Sequence, residues 1–370
     1  MASNLKLVGG SPLIGSPLIY AVTAAALTGE VSFHKLKLEV TAGLLPAYDD
    51  RVINDEIKLI LTFSSPVNSG ETLQIDISSA LRAAADSYHY AVTPPSAYPC
   101  IKFSLKAWDE YMQNGTDTQK TGVITNEGGT AIMGSFSDLE RLLANGNKAA
   151  QVFSRKPTAD LNKGIGYEVV VEGETVVVPE NWDKGLVIGN ITAGPTSQVF
   201  TVSVTDNELK NGVYAIKSYG GKTFLVYSKK FAKRFGDRYC FRFVNSLGVL
   251  ESIAVNCLTT QQMNLESEKH IVSMPETFSK FSHGIYEKSN DYEKLKLSTG
   301  PLDKYWTSWF LHEFLTTKCA WVQLDSNWIP CHVVIEDTVT GCDRTKSDAI
   351  SVDFTVELDM NGSPLNLLTI

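Results

Sequence analysis

Between Leu295 and Leu358 the residue pattern changes period, and this change constrains the fold more than any other feature of the chain. The run LKLSTGPLDKYWTSWFLHEFL is dense in aromatics and carries helix-start chemistry. Ser298 or Thr299 can act as N-cap, Pro301 fits a first turn where its missing N–H is harmless, and Asp303 suits the positive end of a helix. A helix over residues 301–318 is predicted. Beyond it the apolar residues fall on every second position. Ala320 to Leu324 and Ile329 to Ile335 flank the turn-forming Asp325-Ser326-Asn327, and Val352, Phe354, Val356 and Leu358 alternate with Ser351, Asp353, Thr355 and Glu357. The expected unit is an aromatic helix packed on a β-meander, which needs no catalytic centre to explain it.

The two-residue period also governs most of the chain upstream. Strands are predicted at Phe33 to Val40, Ile57 to Phe63, Leu73 to Ile77 and Ile101 to Trp108, with a hairpin signal at Asn114-Gly115. Ser78 and Ser79 can cap a short helix through Ala80 to Ala85, and Ser137 with Glu140 forms a capping box for a helix over Leu139 to Leu143. Further strands are expected at Tyr167 to Val171 and Thr175 to Val178, read as a hairpin around Glu172-Gly173-Glu174. Others are expected at Val199 to Val204, Val213 to Lys217, Thr223 to Tyr227, Arg238 to Val244 and Leu250 to Val255, with a turn at Asn245 to Gly248. Residues 258–290 read as mixed loops. Short strands at such intervals indicate sandwiches or barrels rather than alternating βα units. The chain is therefore expected to be mainly β with a few short helices. Its 370 residues suggest two or three domains: a β-rich domain over 1–155 with an apolar N-terminal arm, a β-rich middle domain over 156–260, and a C-terminal region over 261–370.

With 43% hydrophobic and 20% charged residues the chain has the composition of a folded protein, and its net charge of −8 argues against a general affinity for nucleic acid or anionic membranes. Cys100, Cys240, Cys257, Cys319, Cys331 and Cys342 contain no CxxC pair and are expected to be buried thiols of a reducing cytoplasm. The apolar run Leu18 to Leu27 is too short to span a bilayer. GSPLI, written twice from Gly10 to Ile19, breaks any signal-like helix and reads as an extended arm or edge strand lying against something, such as a neighbouring subunit.

Candidate sites are few. His34, His89, His270, His283, His312 and His332 share no metal-ligand spacing, and the GIG at Gly164 to Gly166 lacks the third glycine and following helix of a dinucleotide loop. The GSF at Gly134 is not a nucleophile elbow. Lys229, Lys230, Lys233, Arg234 and Arg238, interleaved with Tyr227, Phe231 and Phe235, form the one basic cluster and read as a solvated or contact surface. Glu313 is the sharpest enzymatic candidate. At about 100° per residue it shares a helix stripe with Trp306 and Trp309, where a carboxylate against indoles could serve as general acid on a sugar. A glycosidase needs a second carboxylate, and none pairs with it in sequence, so an interface or salt-bridged role is expected instead. Leu311 and Leu315 project from the other side of this helix, which suggests contact with both its own sheet and another element or subunit. No catalytic residue, cofactor or metal site is expected.

The DISSAL run (Asp76 to Leu81), KAWDEYMQNG (Lys106 to Gly115), FRFVNSLGVLESIAV (Phe241 to Val255) and the LSTGPLDKYWTSWFLHEFL helix with the later WIPC and DRTK carry a resemblance. The chain resembles an uncharacterised family of tail or baseplate-type virion structural proteins of tailed phages and prophages of Bacteroidales. That resemblance implies a non-enzymatic virion protein, assembled in the bacterial host cytoplasm as a homo-oligomeric ring with other tail or neck proteins as partners. Its motifs are packing motifs, and no catalytic residue carries over. The alternatives are a carbohydrate-binding receptor-recognition protein using exposed tryptophans on β loops, and a glycan-cleaving enzyme with Glu313 as acid.

Overall fold

The computed structural model describes residues 4–10, 13–44, 58–86, 100–115, 117–132, 134, 151–152, 154–180, 182, 185–186, 196–233, 238–256, 260–263, 267–272, 283–288, 293–317, 319–324, 326–334 and 350–358. These residues are mostly β-strand, arranged in several sheets. The helix expected at Leu139 to Leu143 lies outside the described residues. Among the described residues, no helix is long and apolar enough to cross a membrane.

The first part holds β1 (Asn4–Gly10), β2 (Leu18–Thr23), β3 (Val31–Leu44), β4 (Lys58–Pro66), β5 (Thr72–Asp76), α1 (Ser78–Asp86), β6 (Cys100–Gln113), β7 (Thr118–Lys120) and β8 (Ile124–Ile132). One sheet runs β1-β2-β5 and the other β4-β3-β6-β7, with β8 also paired to β6. Alternation does the sorting. Leu36, Leu38 and Val40 of β3 share a core with Leu18, Tyr20 and Val22 of β2 and with Ala80, Leu81 and Ala84 of α1. Asp76 organises the start of α1, its Oδ1 accepting from Ser78 N and Leu18 N, both at 2.9 Å. Asn114 and Gly115 both have positive φ, 51° and 69°, as the tight turn from β6 to β7 requires. The GSPLI segment packs within its own chain: Leu13, Ile14 and Leu18 are buried, and β1 is an edge strand.

The middle part holds β9 (Gln151–Val152), β10 (Glu168–Val171), β11 (Thr175–Pro179), β12 (Gly185–Leu186), β13 (Ser197–Thr201), β14 (Tyr214–Tyr219), β15 (Lys222–Tyr227) and α2 (Lys229–Ala232). The expected hairpin around Glu172-Gly173-Glu174 does not form. β10 pairs in parallel with β15, whereas β11 pairs antiparallel with β13. The backbone donors explain the departure: Glu172 N bonds Tyr227 O and Gly173 N bonds Val202 O, so the turn delivers the chain from one sheet to another. The two small sheets meet over Val170, Val176, Val178, Val202, Phe224 and Val226.

The last part holds β16 (Arg238–Val244), β17 (Leu250–Asn256), β18 (Thr260–Met263), β19 (Ser267–Val272), β20 (His283–Lys288), β21 (Glu293–Ser298), α3 (Lys304–Trp309), β22 (Ala320–Leu324), β23 (Asn327–Val334) and β24 (Asp353–Leu358). Residues 258–290 contain three of these strands rather than only loops; sequences such as TQQM and SEKHIV offer too few apolar residues to announce them. A seven-stranded sheet runs β17-β16-β22-β23-β24-β21-β18, so it crosses residue 260, where the sequence pattern suggests a domain boundary. β22, β23 and β24 form the expected meander, and the aromatic helix packs on it through Phe310, Phe314, Phe354 and Val322.

That helix starts later than expected. Thr299 is occupied with Val352, donating its N–H to Val352 O at 2.9 Å and accepting from Val352 N at 3.0 Å, so Asp303 is the N-cap, its side chain taking Tyr305 N and Trp306 N. After Trp309 the helix widens into a π turn over Phe310–Phe314, closed by Leu315 N to Phe310 O at 3.0 Å. The extra residue in that turn rotates the residues beyond it by about 100° relative to an α-helix. Leu315 therefore lies in the same core as Trp306 and Trp309, with Leu311 packed against it, instead of facing away. A further cluster joins Leu13 and Ile132 to Val177, Leu247, Leu250 and Trp321, fastening the first and middle parts to the large sheet.

Candidate functional site

A group of buried charges occupies the junction between the middle strands, the large sheet and the aromatic helix. Lys156 enters on the irregular segment before β10, Glu168 opens β10, Lys222 opens β15, and Glu251 lies on β17 opposite Phe243. Lys156 Nζ meets both oxygens of Glu168, at 2.7 and 2.6 Å, and also donates to Ser252 O. The same ammonium lies 5.4 Å from the Trp309 ring centroid. Lys222 Nζ donates to Ser154 Oγ at 2.7 Å and stands 4.7 Å over Trp182. Glu251 is fully buried, and neither of its oxygens has a partner at hydrogen-bonding geometry among the described residues; the same holds for Trp309 Nε1.

Such burial is costly for charge unless it is paired. For Glu251 burial dominates and raises its pKa, against the pull of Lys222, Lys156 and the nearby Ser154 hydroxyl, while Glu313 adds repulsion. For Lys222 burial lowers the pKa to about 8, opposed chiefly by Glu251. The pair thus sits in an environment that favours the neutral form of each member.

Glu313 belongs to the rim of this cluster. The π turn aims its carboxylate at the turn after β16, where Oε2 accepts from Ser246 N at 2.8 Å and Oε1 from Ser246 Oγ at 3.0 Å and Arg155 Nη1 at 2.7 Å. Its side chain is 3% exposed and ion-paired. The expected salt-bridged role is what the geometry supplies, and the carboxylate's acceptor sites are taken by these three donors rather than presented to a sugar. Trp306 and Trp309 stack edge to face on one another, 5.6 Å between centroids, and Trp306 Nε1 donates to Gly166 O. Gly166 N in turn donates to Asp303 Oδ2 at 2.9 Å, so the GIG turn docks the start of the helix. Gly134 is a close-approach position, since a Cβ there would meet the Leu247 carbonyl at 2.4 Å.

The remaining sequence candidates separate. Lys229, Lys230 and Lys233 are exposed, but Arg238 is drawn into a bidentate pair with Glu174 at 2.6 and 3.1 Å, and Arg234 lies outside the described residues. Tyr227 and Phe231 stack on each other at 5.5 Å. His34 Nε2 is 2.8 Å from Asp109 Oδ1, bracing a bulge in β3 where Phe33 has φ 53°. His89 lies outside the described residues, and His312 and His332 are both exposed. No group of three or more metal-ligating side chains comes together among the described residues. Four tryptophans are buried, and the two half-buried ones, Trp182 and Trp328, lie beneath Lys222 and Arg242. Cys240, Cys319 and Cys331 are buried and none of the three is in a disulfide; burial pushes the thiol pKa of Cys240 up to about 12 and that of Cys331 upward as well.

The buried cluster is not among the sequence candidates, yet it leaves a signal in the sequence. Glu168 is in phase with Val170, Lys222 with Phe224 and Val226, and Glu251 with Ile253 and Val255. A charged residue on the apolar phase of a strand must find a buried partner or lose its charge. Comparison with protein-family models, with curated proteins and with solved structures gave no match.

Proposed function

We propose that this protein is a structural subunit of a tailed-phage virion, repeated in a tail, baseplate or neck ring after synthesis in the bacterial host cytoplasm. The observation that carries the reading is the edge strand β1. Leu5 on this strand is buried in its own core, but Leu7 and Val8 are 47% and 53% exposed, beside a sheet edge to which no other strand pairs among the described residues. Apolar side chains beside open backbone donors and acceptors are the surface that a repeated subunit contact covers. Three of the buried carboxylates fit the same reading, because Glu313, Glu168 and Glu174 are committed to Arg155, Lys156 and Arg238. Neither Glu313 nor the tryptophans give support to the glycan-binding or glycan-cleaving alternatives.

Removing residues 1–27 would also remove Leu18, Tyr20 and Val22 from the core, so point substitutions test the contact more cleanly. Sedimentation velocity across a concentration series should show self-association of the wild type. Leu7→Lys with Val8→Lys should shift the distribution to monomer while leaving the far-ultraviolet spectrum unchanged. A wild type that stays monomeric at every concentration, or association indifferent to these substitutions, contradicts the assembly contact.

A further inference from the structure

We propose that the end of the first part that carries Phe33 in one copy of this chain docks on the lysine-rimmed face of β14 and β15 in the next copy. The proposal rests on the subunit reading above and adds a head-to-tail contact to the one at β1. Phe33 is out of place for a phenylalanine. It is 76% exposed, and its backbone φ of 53° lies in a region that a bulky side chain rarely enters. Burial does not offset that conformation, so the neighbouring structure must impose it. The brace is Asp109, a fully buried carboxylate whose Oδ1 meets His34 Nε2 at 2.8 Å while Oδ2 accepts from Ala25 N at 3.2 Å. A strained backbone held by satisfied buried groups, with an aromatic ring thrust into water as the result, marks a contact residue.

Charge selects the occupant. Glu30 and Asp117 stand at the same end as Phe33: Asn114 N donates to Glu30 O at 3.0 Å, and Asp117 lies just before β7 in the turn that follows. Both are exposed and neither is in an ion pair among the described residues, and against them stands Lys35, two residues beyond Phe33. The middle part carries the opposite arrangement. Lys210, Lys229, Lys230 and Lys233 are exposed and in no ion pair among the described residues, and bonds from Val213 N to Lys210 O and from Ser228 N to Val213 O bring Lys210 beside α2. Glu172 accepts from Lys229 N and offsets part of this charge. Next to the lysines, Tyr214 and Ile216 of β14 pair with Tyr227 and Leu225 of β15, so the four side chains share a face of the sheet, open enough to leave Ile216 42% exposed. An apolar, aromatic centre with a basic rim is thus matched by an aromatic knob with an acidic rim. The two patches lie on different parts of one chain, so their contact is heterologous and repeats from copy to copy. A net charge of −8 makes like subunits repel, and lysines of one copy set against carboxylates of the next offset that repulsion at the seam.

Charge reversal in complementary sets, read by sedimentation velocity on the full-length chain, tests this. Glu30→Lys with Asp117→Lys makes one variant, and Lys229→Glu with Lys230→Glu and Lys233→Glu makes the other. Each alone should associate at least about tenfold more weakly than the wild type. An equimolar mixture should recover association, because each altered patch then faces its complement, and a variant that failed to fold could not give that recovery. Phe33→Gly suits the left-handed backbone, so it should keep or raise the urea midpoint while weakening association. A lowered midpoint with association intact makes Phe33 a structural residue and overturns the proposal. Charge-reversed variants that each associate like the wild type, or a mixture that stays dissociated, also overturn it. The β1 substitutions separate the two readings: association lost in Leu7→Lys with Val8→Lys but intact in both charge-reversed variants leaves the subunit reading standing without this contact.

Discussion

At the scale of single residues, the strands of this protein are built by alternation, and its unusual chemistry arises where a charged residue takes an apolar phase. Lys222 is the clearest case. In the unfolded chain it holds a proton up to 10.5, in the folded chain only up to about 8, with burial the leading cause. Between those values the unfolded state binds more protons, so stability rises with pH across the window, by roughly 3 kcal/mol at most. Glu251 works in the opposite sense, since a raised carboxyl pKa removes stability as pH climbs above 4.5. Chemical denaturation of Lys222→Met between pH 8 and 10.5 should show a flatter profile than the wild type. Equal slopes would mean that Lys222 is not the titrating group. The phase of Lys222 with Phe224 and Val226 is legible in the sequence; its partners are not, because Ser154 and Glu251 lie 68 and about 30 residues away along the chain.

At the scale of elements, strands are easier to read than turns. The meander β22 to β24 comes directly from alternating residues, whereas the Glu172-Gly173-Glu174 turn has the spacing of a hairpin and serves as a corner between sheets. A local pattern specifies that the chain turns, but the long-range partners of β10 and β11 decide where it goes. The aromatic helix shows the same division. Its existence is legible, while its start depends on Thr299 pairing with Val352 across the sheet, and its π turn on the packing of Phe310, Phe314 and Leu315. Glu313 also locks this turn to Ser246 and Arg155. Glu313→Gln keeps the shape but removes the carboxylate charge that Arg155 meets here. A stability loss of about 2 kcal/mol is expected, below the full value for a buried pair because Arg155 is 31% exposed. Glu313→Ala should lose more, as Ser246 then forfeits an acceptor. Urea unfolding measures both, and unchanged midpoints would contradict a locking role. Neither wild type nor Glu313→Gln is expected to release products from host capsule polysaccharide; cleavage by the wild type alone would revive the glycan-cleaving alternative.

At the scale of the whole molecule, the question is which strands unfold together. The sequence pattern groups residues 156–260 in one domain, yet β16 and β17 hydrogen-bond into the large sheet, with Cys240 opposite Gln323 and Phe243 opposite Ala320. No local pattern could reveal this, because the pairing of β16 with β22 spans some eighty intervening residues and depends on the whole chain. Three buried thiols report on it. Cys240 lies on β16, Cys331 on β23, and Cys319 just before β22, all in or beside the same sheet. Burial keeps Cys240 and Cys331 protonated and shielded, so neither should react until the sheet opens. In differential alkylation along a urea series, read residue by residue by mass spectrometry, Cys240 and Cys331 should become reactive at the same urea concentration. Residues that share a cooperative unit share its opening free energy. Cys240 labelling well before Cys331 would instead show that β16 opens with the middle strands, and the seven-stranded sheet would then be two units joined at the β16–β22 seam.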